Sequence, residues 1–371
     1  MNLKCNNYTK NIITNGFIAA FFFSSFIYFE YFDLSNKLIN TISILIAYIM
    51  FITLDKKSMF FTGFFIGIFW FYWISFSFIY YDLKYLIPLI IIGIAIIYGI
   101  LFYISSYFSN IILRIIMLVA LSFVHPFGFN WLKLDLPLIN TYLSYHKTII
   151  NEPKLKIYMP KYNINQDEKW KNENIQKIVN TNILNIQYAI NNNYDVVILP
   201  ETVFPFDINS YPNISQILLE LSNKITIITG AMSIKNNMYY NSTYMFKNSA
   251  ISIANKVELV PFGERVPAPK IIRDFINKVF FNGASDYEVA KKPTTFNING
   301  IKFRNAICYE ATSDKIYQNL DTKYIIATSN NAWFTPSIEP TLQKLLLKYY
   351  AQKYNVIIYH STNKSDNMII K

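Results

Sequence analysis

The chain has 371 residues, of which 53% are hydrophobic, 18% aromatic and only 15% charged, a balance outside the usual range of a wholly soluble protein. Its net charge of +11 is spread without a dense Lys/Arg block, which reads as solvated charge on a domain near anionic lipid and argues against nucleic-acid binding. Two cysteines, Cys5 beside the apolar segments and Cys308 in the later part of the chain, argue against a disulfide framework, and the absence of any zinc or P-loop spacing implies no metal or nucleotide cofactor.

In chain order, five apolar runs come first, at residues 12–32, 38–54, 59–81, 85–109 and 111–129. Each is near the roughly 20 residues that span a bilayer. One long run follows another, unlike the short core of a cleavable signal peptide, so the N-terminus reads as an anchor. Lys4 and Lys10 precede the first run, Lys56 and Lys57 follow the second, and Arg114 lies near the start of the fifth. The alternate loops carry Asp33 with Lys37 and Asp82 with Lys84. The positive-inside rule puts the N-terminus in the cytoplasm, and an odd number of spans delivers the chain beyond about residue 140 to the outside. Phe69, Trp70, Phe71, Tyr72 and Trp73 in the third run read as an interfacial aromatic belt.

A helical membrane domain over residues 1–140 is therefore expected, then a linker at 141–153 where Lys133, Pro137, Lys147 and Glu152 break the apolar pattern. Residues 154–371 change texture. The patterns predict strands at 155–159, 195–199, 225–229, 305–308, 324–328 and 356–359, helices at 167–190, 214–222 and 339–354, and a hairpin at 295–303 turning at Asn299-Gly300. Alternating strands and helices imply a layered α/β domain.

Three stretches place a reactive side chain past a strand or on a fixed loop. Glu201 follows the apolar run Val196-Val197-Ile198-Leu199-Pro200 with apolar residues on both sides, a setting that would raise a carboxylate pKa and suit a general base. A strand-end Glu capping the next turn is the alternative. Lys256 and Glu264 bracket a segment that Pro261, Gly263 and Pro267 hold irregular; a lysine there would stabilise an oxyanion, unless it is simply exposed on its loop. Cys308 ends a mostly apolar strand and is followed at once by Tyr309-Glu310, which suits a strand-to-turn nucleophile better than an inert core thiol. His125 and His146 lie in or near the apolar part and nothing motivates His360, so a glutamate must serve as base if Cys308 is the nucleophile.

In the order Glu, Lys, Cys these stretches resemble the nitrilase, or carbon–nitrogen hydrolase, superfamily. Leu199-Pro200-Glu201-Thr202, the segment 259–267, Cys308-Tyr309-Glu310 and the segment 329–334 resemble its membrane branch, the apolipoprotein N-acyltransferases. The resemblance implies an αββα sandwich after the membrane helices. It implies Glu201 as general base, Lys256 as oxyanion-stabilising cation and Cys308 as the nucleophile that carries the acyl group, with Glu264, Tyr309 and Glu310 in support. Trp170, in a segment like the family's stretch at the start of the domain, and Trp333 are implied as acyl-chain contacts, although Trp170 would also serve to pack the helix it opens. A phospholipid donor, a diacylglyceryl-cysteine apolipoprotein acceptor, a bilayer location in a bacterial inner membrane, no cofactor and a monomer complete the expectation. A membrane-anchored amidase and an inactive scaffold are the competing readings. The chain departs from the family pattern in its number of spans, in the lack of a final apolar span, in Asn331 where Asp is general and in Lys364 where Gly is usual.

Overall fold

A computed structural model describes residues 2–142, 150–261, 263–266, 268–280 and 286–371. The chain divides into two compact units, Met1–His146 with Pro336–Tyr349, and Lys147–Thr335 with Tyr350–Lys371. The linker expected at 141–153 falls largely on residues 143–149, outside the described residues.

The first unit is helical: α1 (Asn2–Tyr31), α2 (Lys37–Thr53), α3 (Lys56–Phe71), α4 (Ile87–Ser105), α5 (Ile111–Leu121) and α6 (Leu136–Tyr142). Polar residues between the apolar runs start new helices. The Asn36 side chain accepts from the N–H groups of Leu38 and Ile39, Asp55 from Lys57 and Ser58, and Asn110 from Ile112 and Leu113, each meeting donors that a helix start leaves free. Among the described residues, four stretches are long and apolar enough to cross a membrane: Asn11–Tyr31, Lys56–Tyr81, Lys84–Ser105 and Ile111–Gly128. The second expected span is the helix Lys37–Thr53, which at 17 residues is shorter.

Small residues bring these helices together, as they do where lipid removes the hydrophobic drive between helices. A Cβ on Gly63 of α3 would lie 2.2 Å from the Tyr98 carbonyl oxygen of α4, and one on Gly67 would lie 2.8 Å from Ala95 Cα. Phe23 stacks on Trp70 with ring centroids 5.4 Å apart, and the Trp70 indole donates to Ser24 Oγ at 3.0 Å. The late segment of this unit is tied to α1 by charge, Lys344 Nζ lying 2.9 Å and Lys348 Nζ 3.5 Å from Glu30 Oε1. Ile92, Ile96 and Ile100 on α4 and Ile112, Ile116 and Val119 on α5 remain exposed, an apolar exterior that suits lipid and not water.

The second unit is an α/β sandwich. After β1 (Ile157–Tyr158) come α7 (Gln166–Lys169), α8 (Asn172–Asn191), β2 (Val196–Ile198), β3 (Phe204–Asp207), α9 (Pro212–Leu221), β4 (Thr226–Lys235), β5 (Met238–Lys247), β6 (Ala250–Asn255) and α10 (Lys270–Phe280). Then follow β7 (Thr295–Ile298), β8 (Ile301–Ile307), α11 (Asp314–Tyr317), β9 (Tyr324–Asn330), α12 (Glu339–Tyr354), β10 (Ile357–Asn363) and β11 (Met368–Ile370). α12 begins in the first unit and ends in the second. One sheet runs β1-β2-β4-β5-β6, with β3 also pairing β4; the other runs β11-β10-β9-β8-β7.

The two sheets meet face to face. Val196, Ile198, Ile228, Met245 and Ala254 of the first pack with Phe296, Phe303, Ile326, Ile357 and Tyr359 of the second. The outer face of the first sheet, with Val197, Ile227, Tyr244 and Phe246, is covered by Val179, Ile186 and Ala189 of α8 and by Leu218 of α9. Ile325, Ala327 and Ile358 point the other way from the second sheet and are buried too, so its strands β9 and β10 are apolar on both faces, as parallel strands in layered proteins are.

Two differences from the sequence reading have local causes. The helix expected at 167–190 is broken at Trp170–Lys171 into α7 and α8. The antiparallel run β4-β5-β6 extends well past the strand expected at 225–229, because Asn236-Asn237 and Asn248-Ser249 all adopt positive φ and turn two tight hairpins. The hairpin between β7 and β8 does turn at Asn299-Gly300, with φ of 52° and 85°.

Candidate active site

β2 ends at Ile198 and the chain turns through Pro200–Thr202 before β3. Gly230 on the adjacent β4 makes room for that turn: a Cβ there would lie 2.3 Å from Thr202 N and 2.6 Å from Glu201 Cα, while its own N–H donates to Pro200 O at 3.1 Å. Only glycine allows that approach. The apolar neighbours of Glu201 enter the core, but its carboxylate meets donors, contrary to the apolar setting expected for it. Asn330 N–H at the end of β9 donates to Oε2 at 2.8 Å, and Asn241 Nδ2 on β5 donates to Oε1 at 2.7 Å.

Lys256 follows β6 and is fully buried, not exposed on a loop. Its Nζ lies 2.8 Å from Glu264 Oε2 and 3.8 Å from Glu201 Oε1. Burial opposes its charge, but Glu264 and Glu201 more than offset this and hold the ammonium group above the ordinary lysine value. Glu264 is itself anchored by Val260 N–H at 2.8 Å and by the second N–H of the Asn241 amide at 2.7 Å. Asn241 thus bridges two carboxylates that share the single ammonium group of Lys256. Phe262 and Pro267, two residues of this segment, lie outside the described residues.

Cys308 follows β8 directly and begins a 3₁₀ turn, Cys308–Thr312. Its φ of 52° is in the left-handed region, where a non-glycine residue is strained by roughly 1–3 kcal/mol. It is half-buried and lies within electrostatic reach of both Lys256 and Lys169. Glu310, two residues on, accepts from Ile307 N–H at 2.7 Å, Val257 N–H at 2.7 Å and Glu258 N–H at 3.3 Å, pinning the strand before Cys308 to the chain after Lys256. Burial pushes the Glu310 carboxyl up to about 7 against the opposing pull of Lys256 and those N–H groups. Tyr309 is buried beside it.

The structure therefore brings Glu201, Lys256, Glu264 and Glu310 into one largely buried cluster, with Cys308 within electrostatic reach of Lys256. Trp170 lies at the break between α7 and α8 with 41% of its surface exposed, and Trp333 sits half-buried in the turn after β9. His360 is buried on β10 against Ser329 Oγ at 2.8 Å, and burial lowers it to about 3. Three residues were missed. Asn241 lies on a strand the pattern did not reveal, and Asn330 acts through its backbone, which no side-chain pattern reports. Lys169 is 1% exposed and donates to Glu201 O at 3.1 Å and Thr202 Oγ1 at 2.7 Å; its only sequence signal is its place beside Trp170.

Comparison with known proteins covers both units. The apolipoprotein N-acyltransferase integral membrane domain matches residues 9–168, and the carbon-nitrogen hydrolase domain matches residues 161–358. An apolipoprotein N-acyltransferase of Wolinella succinogenes is 37% identical over 390 residues, spanning 95% of this chain and 94% of that one. Those of Helicobacter hepaticus and Campylobacter jejuni are 38% identical over 371 residues (88% and 91% covered) and 37% identical over 411 residues (99% and 91% covered).

Proposed function

This chain belongs to the apolipoprotein N-acyltransferase family, and we propose that it N-acylates lipoproteins by a two-step transfer through Cys308. The observation that carries the mechanism is the largely buried Glu201–Lys256–Glu264 cluster, assembled from two distant segments beside a half-buried thiol on the strained turn of a third.

Glu201 takes the Cys308 proton, and the thiolate attacks the carbonyl carbon of a phospholipid acyl ester. Lys256 and nearby backbone N–H groups stabilise the tetrahedral oxyanion. The ester C–O bond breaks, the departing lysophospholipid oxygen takes the proton from Glu201, and an acyl thioester remains on Cys308. In the second half the α-amine of a diacylglyceryl-cysteine N-terminus attacks that thioester. The C–S bond breaks, the amine gives up a proton by way of Glu201, and Cys308 returns to a thiol as the amide leaves. Glu264 and Glu310 hold Lys256 and the Cys308 turn, and Trp170 and Trp333 contact acyl chains. Two lipid substrates give a physical reason for joining this chemistry to a multi-pass membrane unit. The charge pattern of the loops supports a bacterial inner membrane location with the catalytic unit on the extracytoplasmic side.

Intact-mass analysis of the detergent-purified chain after incubation with phospholipid tests this. Wild type should gain a hydroxylamine-sensitive acyl mass that Cys308→Ala lacks and Glu201→Gln fails to form, and a diacylglyceryl-cysteine peptide should discharge it as an amide. Absence of the adduct would point instead to an inactive scaffold or an anchored hydrolase, and discharge by water as fast as by peptide to the anchored hydrolase.

A further inference from the structure

Lys169 is a buried charged side chain that the mechanism above does not use. It sits at the end of α7, a single turn, and its ammonium group donates to the loop that carries the base: to the carbonyl of Glu201 at 3.1 Å and to the hydroxyl of Thr202 at 2.7 Å. Thr202 is β-branched yet has φ of 44°. Such a residue enters the left-handed region only when its surroundings impose it. Gly230 removes a steric obstacle to this turn, and Lys169 holds it by two hydrogen bonds.

The same helical turn reaches the other end of Glu201. Gln166, three residues before Lys169 and so on the same helix face, accepts from Asn330 Nδ2 at 2.8 Å, and the N–H of Asn330 is a donor to Glu201 Oε2. Asn363 completes the brace, donating to Asn330 Oδ1 at 2.9 Å and to Ile164 O at 2.8 Å just before α7. One short turn therefore fixes the Glu201 main chain directly through Lys169 and its carboxylate indirectly through Gln166 and Asn330. Burying an ammonium group is costly, and burial lowers Lys169 to about 7 in spite of Glu201 and Cys308 nearby. A lysine that served only to fill space would be replaced by an apolar side chain at no such cost.

We infer that Lys169 is a positioning residue for acyl transfer: it holds the strained Glu201–Thr202 turn so that the Glu201 carboxylate stays aimed into the site beside Lys256 and Cys308. This rests on the assignment of Glu201 as the base. If Lys169 acts through Glu201, losing it has little further effect once Glu201 can no longer accept a proton, and the two losses do not multiply.

The test uses the full chain in detergent and p-nitrophenyl butyrate, an activated ester that acylates Cys308 without depending on phospholipid recognition; p-nitrophenolate release reports the rate. Lys169→Met should slow acylation about 100-fold, the size of a general-base contribution. In a Glu201→Gln background the same change should cost less than about threefold, and Lys169→Arg, which keeps donors and charge, should recover part of the single-variant loss. Where Lys169→Met does not fold, Thr202→Val carries the same comparison. Acylation by Lys169→Met within about threefold of wild type, or losses that multiply in the double variant, overturns the inference. If wild type reacts with the activated ester and shows the non-additivity but takes no acyl group from phospholipid, the lipid assignment fails and the role of Lys169 stands; equal phospholipid adduct rates in wild type and Lys169→Met give the reverse.

Discussion

The two units place polar groups in opposite ways. In the helical unit the charged side chains gather at helix ends and inter-helix turns, as with Glu30, Asp55 and Arg114, and the contacts between helices are made by Gly63, Gly67 and stacked aromatic rings. In the α/β unit five ionisable groups, Lys169, Glu201, Lys256, Glu264 and Glu310, are drawn to one place and lie inside or nearly inside the protein. The first unit also buries Arg114, Lys133 and Glu339, but the second gathers its buried charge beside Cys308. The difference teaches that buried charge gathers where partners converge, as Glu264 and Glu201 do on Lys256 and three backbone N–H groups do on Glu310.

The sharpest way to break that contrast is Lys256→Met. It would leave Glu201 and Glu264 facing one another without a cation, costing about 3–5 kcal/mol of stability and abolishing acyl-adduct formation, as read by thermal denaturation in detergent and intact mass. A second comparison pairs two glycines. Gly230→Ala puts a methyl group into the Pro200–Thr202 backbone, and Gly63→Ala puts one into the Tyr98 carbonyl, each costing about 1–3 kcal/mol. Ester acylation of Cys308 should fall at least about tenfold for Gly230→Ala but stay near wild type for Gly63→Ala. Equal losses would remove Gly230 as the special support of Glu201.

Titration offers a smaller effect with a definite sign. Glu310 moves up from 4.5 to about 7 on folding, so its ionisation is disfavoured in the native state. Its contribution is fully present below 4.5 and is lost as pH rises through about 7. Lys169 moves down from 10.5 to about 7; its contribution is present above 10.5 and is lost as pH falls through about 7. Wild type should therefore lose melting temperature relative to Glu310→Gln between about pH 5 and pH 8, and relative to Lys169→Met as pH falls from about 10 to 7. The smallest change expected is a gain. Lys364 has φ of 71° after β10, and Lys364→Gly should raise stability by about 0.5 kcal/mol by relieving a left-handed lysine, with acylation unchanged.

By itself the sequence determined the apolar helices, because a bilayer demands about 20 continuous apolar residues and nothing else in the chain imitates that. It also determined the layered α/β character of the second part and the β7–β8 hairpin at Asn299-Gly300, and it singled out Glu201, Lys256 and Cys308, which the fold brings near one another. The Asn-rich composition hid the turns at Asn236-Asn237 and Asn248-Ser249, and with them β5, β6 and Asn241. Tertiary structure alone decided that Lys256 is buried and paired to Glu264, that Lys169 lies inside while its neighbour Trp170 faces out, and that Gly230 and Asn330 shape the surroundings of Glu201. Those contacts join residues up to 129 positions apart, as Asn330 to Glu201 does, and depend on the directions of side chains across two sheets. Periodicity along a chain reports which face a residue takes; it carries no information on which distant group that face will meet.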